Sequence, residues 1–231
     1  GNNYLNPEIE ILADDALDEV SKSKLEVFLK NWVNAYIKEI LGDLLNLNKE
    51  SVSNKYIRAL MFQLFENNGV IKRELVNEIV KEIKTDERKK IWDLGIKIGR
   101  YHIYLPKMLK PKAVSLRISL WRLFYQLASS QDIPRSGLNY LNDKKYNKNF
   151  LLLCGFEKFK NHYVRIDILE KLFIKILNKT IKRKFKIDAE MVNLIGCSKE
   201  NFYNLMLSMN YKKSKEIDTY FYIGEVKRKN K

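Results

Sequence analysis

Apolar residues recur at steps of three and four from Leu25 through Phe28, Leu29, Trp32, Val33, Tyr36, Ile37 and Ile40 to Leu44 and Leu45. That spacing predicts one long amphipathic helix with a wide apolar face, and it puts Trp32 and Tyr36 into a core. Asp14, Asp15 and Asp18 stand ahead of it, where the helix macrodipole favours negative charge. Before them, residues 5 to 12 read as a short strand, with Ile9, Ile11 and Leu12. A second helix, capped by Ser51 or Ser53, turns Ile57, Leu60, Met61, Leu64 and Phe65 inward and stops at Asn67-Asn68-Gly69. Val70 and Ile71 lead into a helix over Glu74 to Ile83, and another runs from Thr85 to Leu94-Gly95.

The period then changes. Tyr101, Ile103 and Leu105 alternate with Arg100, His102 and Tyr104, the signature of a half-buried strand. Gly99 allows a tight turn or a bulge beside it, and Pro106 closes the strand because it has no N–H for a ladder. Pro111 opens a helix to Ala128 that is apolar on more than one face. Residues 129–149 hold Pro134, Gly137 and the Lys144-Lys145 pair with little periodicity, and read as a linker. Beyond it, Phe150 to Gly155 and His162 to Ile166 read as two strands of a hairpin, and Asp167 as the cap of a helix through Leu177 that ends in Lys182-Arg183-Lys184. A short helix over Ala189 to Ile195, a turn at Gly196, a helix from Lys199 to Met209 capped by Ser198, and strands near Tyr211 and over Thr219 to Ile223 complete the chain.

The fold class so predicted is mainly α with short β-hairpins, a helical bundle plus winged-helix-like units. Residues 1–128 form a helical domain with a hairpin near 96–105, residues 129–149 the linker, and residues 150–231 a winged-helix-like domain with a basic tail. Both halves show three helices followed by a hairpin.

Charge adds a direction. The formal net charge is +15, yet residues 1–90 hold 14 Lys/Arg against 16 Asp/Glu while residues 91–231 hold 29 against 12. A composition rich in Lys, Asn and Ile raises the total but leaves that asymmetry unexplained, so the later part is expected to meet an anionic partner. Candidate phosphate contacts are Arg100, Lys107, Lys110 and Lys112 around the period-two stretch, and Lys199, Lys212 and Lys213 around the last helix-turn-helix. Tyr101, Tyr104, and Tyr220 or Tyr222 offer rings for base stacking if exposed. Any one such lysine standing alone is a solvated side chain, and any one such tyrosine a core ring; the expectation rests on the cluster.

Catalytic patterns are missing from the sequence. There is no phosphate-binding glycine loop ending in Lys-Ser/Thr, and no Gly-x-Ser-x-Gly elbow. Asp18-Glu19 and Asp86-Glu87 sit in first turns of helices and read as dipole partners. Asp167 and Glu170 are one helical turn apart, but Asp167 has the simpler task of a cap. Cys154, Cys197, His102 and His162 are far apart and lack metal-ligand spacing, so the thiols read as small buried hydrophobes of an intracellular, cytoplasmic protein. Catalytic, cofactor-binding and metal residues are therefore expected to be none. No apolar run approaches the roughly 20 residues of a membrane helix.

Leu94-Gly95, Gly99, Leu105-Pro106 and Leu109-Lys110-Pro111 resemble a pattern in the C-terminal region of alphaproteobacterial superfamily-two DExH-box helicases, relatives of the mitochondrial degradosome RNA helicase. Leu12-Ala13-Asp14 leading to Trp32, then Arg58 to Arg73, Val164 to Leu172 and Leu194 to Ser198, follow the same order. Met209-Asn210-Tyr211 departs from the Leu-Gly-Tyr more usual at that turn. The resemblance spans nearly the whole chain, and its motifs are structural. It implies an accessory nucleic-acid-binding region of an ATP-dependent helicase, with RNA the favoured strand and with ATP and Mg belonging to an upstream motor. The alternatives are a protein-interaction scaffold docking a nuclease or the helicase motor domains, and, third, a winged-helix DNA-binding regulator. The regulator needs a helix rich in base-reading side chains, and Lys199 to Met209 offers Lys199, Asn201 and Asn204.

Overall fold

A computed structural model describes residues 4–12, 18–49, 52–126, 131–142 and 146–223. Asp14, Asp15, Ser51, the Lys144-Lys145 pair and the basic tail after residue 226 lie outside the described residues. The chain forms two compact units. The first comprises residues 1–98 and 103–133, the second residues 99–102 and 134–231, so the division falls between Ile133 and Pro134. The fold is mainly α with short antiparallel strands.

In the first unit, α1 (Glu19–Lys49) opens with the Asp18 carboxylate accepting the Ser21 N–H at 2.6 Å. That bond, from a backbone donor to a charged acceptor, holds Asp18 below the usual carboxylate range. Only its second half is buried, through Ile37, Leu41, Leu44 and Leu47. Trp32 is 58% exposed and Tyr36 43%, contrary to the core position expected from their spacing. Their rings stack on each other at 5.8 Å. Periodicity reports that a face exists, not that anything covers it.

Asn54, rather than Ser53, caps α2 (Lys55–Glu66), accepting from the N–H groups of Tyr56 and Ile57. The chain then reverses through Asn68 and Gly69, both at positive φ. Where a helix lead-in was expected, Val70–Lys72 forms a strand, β1. A 3-10 turn and α3 (Asn77–Lys81) follow, then α4 (Arg88–Asp93), β2 (Lys97–Ile98) and β3 (His102–Tyr104). The sheet order is β1-β3-β2. Gly69 serves two ends here: its carbonyl accepts the Leu105 N–H at 2.9 Å, and a Cβ on it would stand 2.8 Å from Met108 Cγ. From α5 (Pro111–Phe124), the buried Arg117 donates to the carbonyl oxygens of Asn68 and Met108. Leu41, Leu44, Leu60, Leu64, Leu105 and Met108 are the fully covered centre of this unit. Tyr4–Leu12 contains no strand.

In the second unit, β4 (Tyr140–Leu141) lies inside the stretch read as linker and pairs with β6 (His162–Arg165). The run Phe150 to Gly155, expected as a strand, instead lies largely in a helix, α6 (Lys148–Leu153), capped by Asn147 and ended by Gly155 at φ +85°. The hairpin is instead β5 (Phe156–Phe159) with β6, and the sheet order is β4-β6-β5. α7 (Ile166–Lys179) begins without the expected aspartate cap: Asp167 is bound by Arg165 at 2.7 Å. The basic run expected at its end instead makes a left-handed turn at Lys182 and Arg183 into β7 (Lys184–Lys186). Pairing with Thr219 to Phe221 and burial of Phe185 outweigh any continuation of the helix. α8 (Ala189–Ile195) is capped by Asp188 and stopped by Gly196, and α9 (Lys199–Ser208) is capped by Ser198. β8 (Tyr211–Lys213) and β9 (Thr219–Tyr222) close a sheet of order β7-β9-β8. Leu169, Leu172, Met191, Ile195, Phe202 and Leu205 fill the core between helices and sheet. Among the described residues, no helix is long and apolar enough to cross a membrane.

Candidate nucleic-acid interface

Charge is divided unevenly between the units, in the same direction as along the sequence. The second unit carries 23 Lys/Arg against 10 Asp/Glu, and the first 20 against 18. Carboxylates in the second unit claim a minority of its cations. Arg165 pairs with Asp167, Lys175 with Glu190, Lys179 with Asp188, Lys184 with Glu216 and Lys199 with Asp218. Among the described residues, Arg100, Lys182, Arg183, Lys186, Lys212 and Lys213 form no ion pair.

Two constellations in this unit combine cations with rings. The first surrounds a cavity of about 540 Å³ bordered by Arg100, Tyr101, Phe173, Arg183, Tyr211 and Tyr222. The Arg100 guanidinium lies 5.8 Å from the Phe173 ring centre, and Tyr101 meets the same ring edge-on at 5.8 Å. Burial pushes the Tyr101 and Tyr211 phenols up, so both stay protonated at neutral pH. The second constellation centres on Tyr203 of α9. Lys199 and Lys213 ammonium groups stand 5.6 and 5.9 Å from its ring, its hydroxyl donates to Asp218, and Tyr220 stacks on it at 6.0 Å. The hydroxyl bond and the Lys199 pair together hold Asp218 below the usual carboxylate range.

Segment 99–102 is fixed by a buried polar cluster. The Glu170 carboxylate accepts the backbone N–H groups of Arg100 at 2.6 Å, Tyr101 at 2.9 Å and His102 at 3.0 Å. His102 Nε2 lies 2.7 Å from Glu157 Oε2, with both side chains buried. Burial alone would favour neutral Glu170 and neutral His102. For Glu170 the imidazole and three N–H donors outweigh it and keep its carboxyl below the usual range, whereas for His102 the two carboxylates outweigh it and raise the imidazole. The other histidine, His162, faces the Tyr140 hydroxyl at 2.5 Å and is lowered by burial.

The sequence-predicted residues thus divide. Arg100 and Tyr101 meet at the cavity, and Lys199 and Lys213 at Tyr203. Lys212 and Lys213 project from β8, a sheet edge, where lysines also discourage pairing with foreign strands. In the first unit, Lys110 and Lys112 are exposed, and Lys107 is held by Asp43 at 2.9 Å. Lys107 and Asp43 help line that unit's cavity of about 760 Å³, together with Lys90, Lys97 and Asp93, so positive and negative groups alternate there. Tyr104 is 4% exposed and cannot receive a base, and Tyr220 is equally covered; packing on both faces of their strands removes them from the surface. Tyr222 remains 42% exposed. Sequence reasoning missed Phe173 and Arg183, and weighed Glu170 only as half of a carboxylate pair with Asp167. The available signal was Glu170 itself, a carboxylate on the apolar face of a helix, which needs a buried partner. Comparison with family models, with curated proteins and with solved structures returns no match.

Proposed function

We propose that the second unit binds single-stranded nucleic acid, RNA before DNA, as the accessory region of an ATP-dependent helicase whose motor, with its ATP and Mg, lies elsewhere in a longer protein. The observation that carries the binding is the excess of 23 Lys/Arg over 10 Asp/Glu in one compact unit, with several of those cations free of carboxylates among the described residues. The helicase context rests on the sequence resemblance alone. Lysines and arginines on phosphate oxygens position a strand without reading it. The connectivity supports the same reading. Helix α7, strand β7, helices α8 and α9 and the β8–β9 hairpin follow one another in winged-helix order, with α8 and α9 as its helix-turn-helix pair. Helix α9 presents Lys199, Asn201 and Asn204, a short set for reading bases, which favours guiding a strand over recognising a sequence.

Titration with a single-stranded RNA at two salt concentrations tests the proposal. Affinity falls by about 10³ or more between roughly 50 and 200 mM salt if six or more phosphates are neutralised. Absence of binding at low salt overturns it, and strong preference for a palindromic duplex over a random one replaces it with the regulator. One observation favours the scaffold reading as a second function. The apolar row Leu25, Phe28, Trp32 and Tyr36 of α1 is exposed, as a protein-docking helix requires.

A further inference from the structure

We infer that the cavity of the second unit receives an unstacked base of the bound strand, with the Arg100 and Arg183 guanidiniums on the flanking phosphates. The inference rests on the proposal that this unit binds a single strand. At about 540 Å³ the cavity has the size of a small-molecule site, larger than one base requires and sufficient for a base with its sugar. Its walls are aromatic. The ring pairs within them meet edge-on or tilted: Tyr101 with Phe173 at 80°, Phe185 with Tyr211 at 83°, Tyr211 with Tyr222 at 59°. Phe185 and Tyr211 are covered and form the floor, so the faces open to a flat guest are those of Tyr222, 42% exposed, and of the half-buried Tyr101 and Phe173.

The rim is cationic. Arg100 and Arg183 have no carboxylate partner among the described residues, so each guanidinium has donors to offer an anion. Arg183 sits in the left-handed turn between Ile181 and Lys184, whose backbone groups bond to each other and fix the turn. Arg100 is fixed from the other direction, because the Glu170 carboxylate binds its N–H and those of the next two residues. A purely apolar guest, such as a peptide side chain, would make no use of the two exposed guanidiniums; a nucleotide engages rings and cations together. The Thr180 hydroxyl is already donated to the Ile176 carbonyl at 2.6 Å. Stacking therefore dominates over hydrogen-bond readout, and the cavity accepts bases with little discrimination.

The test uses the full chain with a single-stranded oligoadenylate 12-mer of about the site size of such modules and an abasic strand of the same length, at one salt concentration. The base-containing strand binds about tenfold tighter or more, the range of one or two stacked bases. Leu177→Trp changes a side chain that is 54% exposed at the cavity wall and fills the cavity. It lowers affinity for oligoadenylate about tenfold and leaves the abasic strand unchanged. Equal affinity for the two strands, or an equal loss on both in the variant, overturns the base pocket while the phosphate-binding proposal stands. Failure of both strands to bind at low salt overturns the proposal and the pocket together.

Discussion

Gly99 has no side chain because the Glu170 carboxylate stands where one would be. A Cβ built on Gly99 would lie 2.6 Å from Glu170 Oε1, inside any contact that real Cβ atoms make. The close approach lets one carboxylate reach three consecutive N–H groups. Gly99→Ala is expected to push the carboxylate away and to destabilise the second unit by about 1–3 kcal/mol, the scale of an overpacked site. Chemical denaturation of wild type and variant measures it, and an unchanged midpoint would show that the carboxylate moves without cost.

The same cluster contributes most to the stability of the second unit in mildly acidic solution. His102 keeps its proton to higher pH than an ordinary histidine, because two carboxylates outweigh its burial. A raised histidine contributes fully below its unfolded value of about 6.5 and loses that contribution as pH rises through the folded value. Glu170 is lowered, despite burial, by His102 and the three N–H donors, so it contributes fully above about 4.3 and loses that as pH falls through the folded value. Both are complete between about pH 4.3 and 6.5. Denaturation midpoints measured across pH should fall on both sides of that window, and Glu170→Gln should lower the maximum and flatten the slopes.

Helix α1 should respond to mutation in two different ways along its length. Leu41→Ala removes a fully buried side chain and is expected to cost about 2–5 kcal/mol. Trp32→Ala removes a side chain 58% exposed and is expected to change stability by no more than about 0.5 kcal/mol. If both cost several kcal/mol, the first half of the helix is covered in solution, and the oligomeric state would then show by what.

Lysines that form no ion pair should count for more in strand binding than those already neutralised. Lys212→Ala is expected to reduce the salt slope of RNA affinity by about 1, the signature of one lost phosphate contact. Lys107→Ala, whose ammonium is held by Asp43, and Lys199→Ala, whose ammonium is held by Asp218, are expected to reduce it less. Equal slopes for all three variants would mean that the pairs open when RNA arrives.

What the sequence made legible was local. Helix α9 with its Ser198 cap and the Gly196 turn before it follow from residues adjacent in the chain. So does the alternation that places β3, although burial there extends to both faces and takes in His102 and Tyr104. Strands β1 and β7 were not legible, because three residues carry no periodicity and each is a strand only through a partner distant in sequence. The His102, Glu157 and Glu170 cluster was hidden for the same reason. Its contacts join residues 55 and 68 positions apart. Arg100 and Tyr101 were visible as candidates from charge and ring alone, whereas Phe173 and Arg183 read as an ordinary helix face and an ordinary basic end.

The strand order has a consequence for synthesis. In each sheet the last strand to be made, β3, β6 or β9, is the one that lies in the middle. On the ribosome, β1 and β2, then β4 and β5, then β7 and β8, emerge with nothing between them, and no sheet is complete before its third strand arrives. A nascent chain stalled before Thr219 exposes two bare strands, the sort of edge that captures other chains.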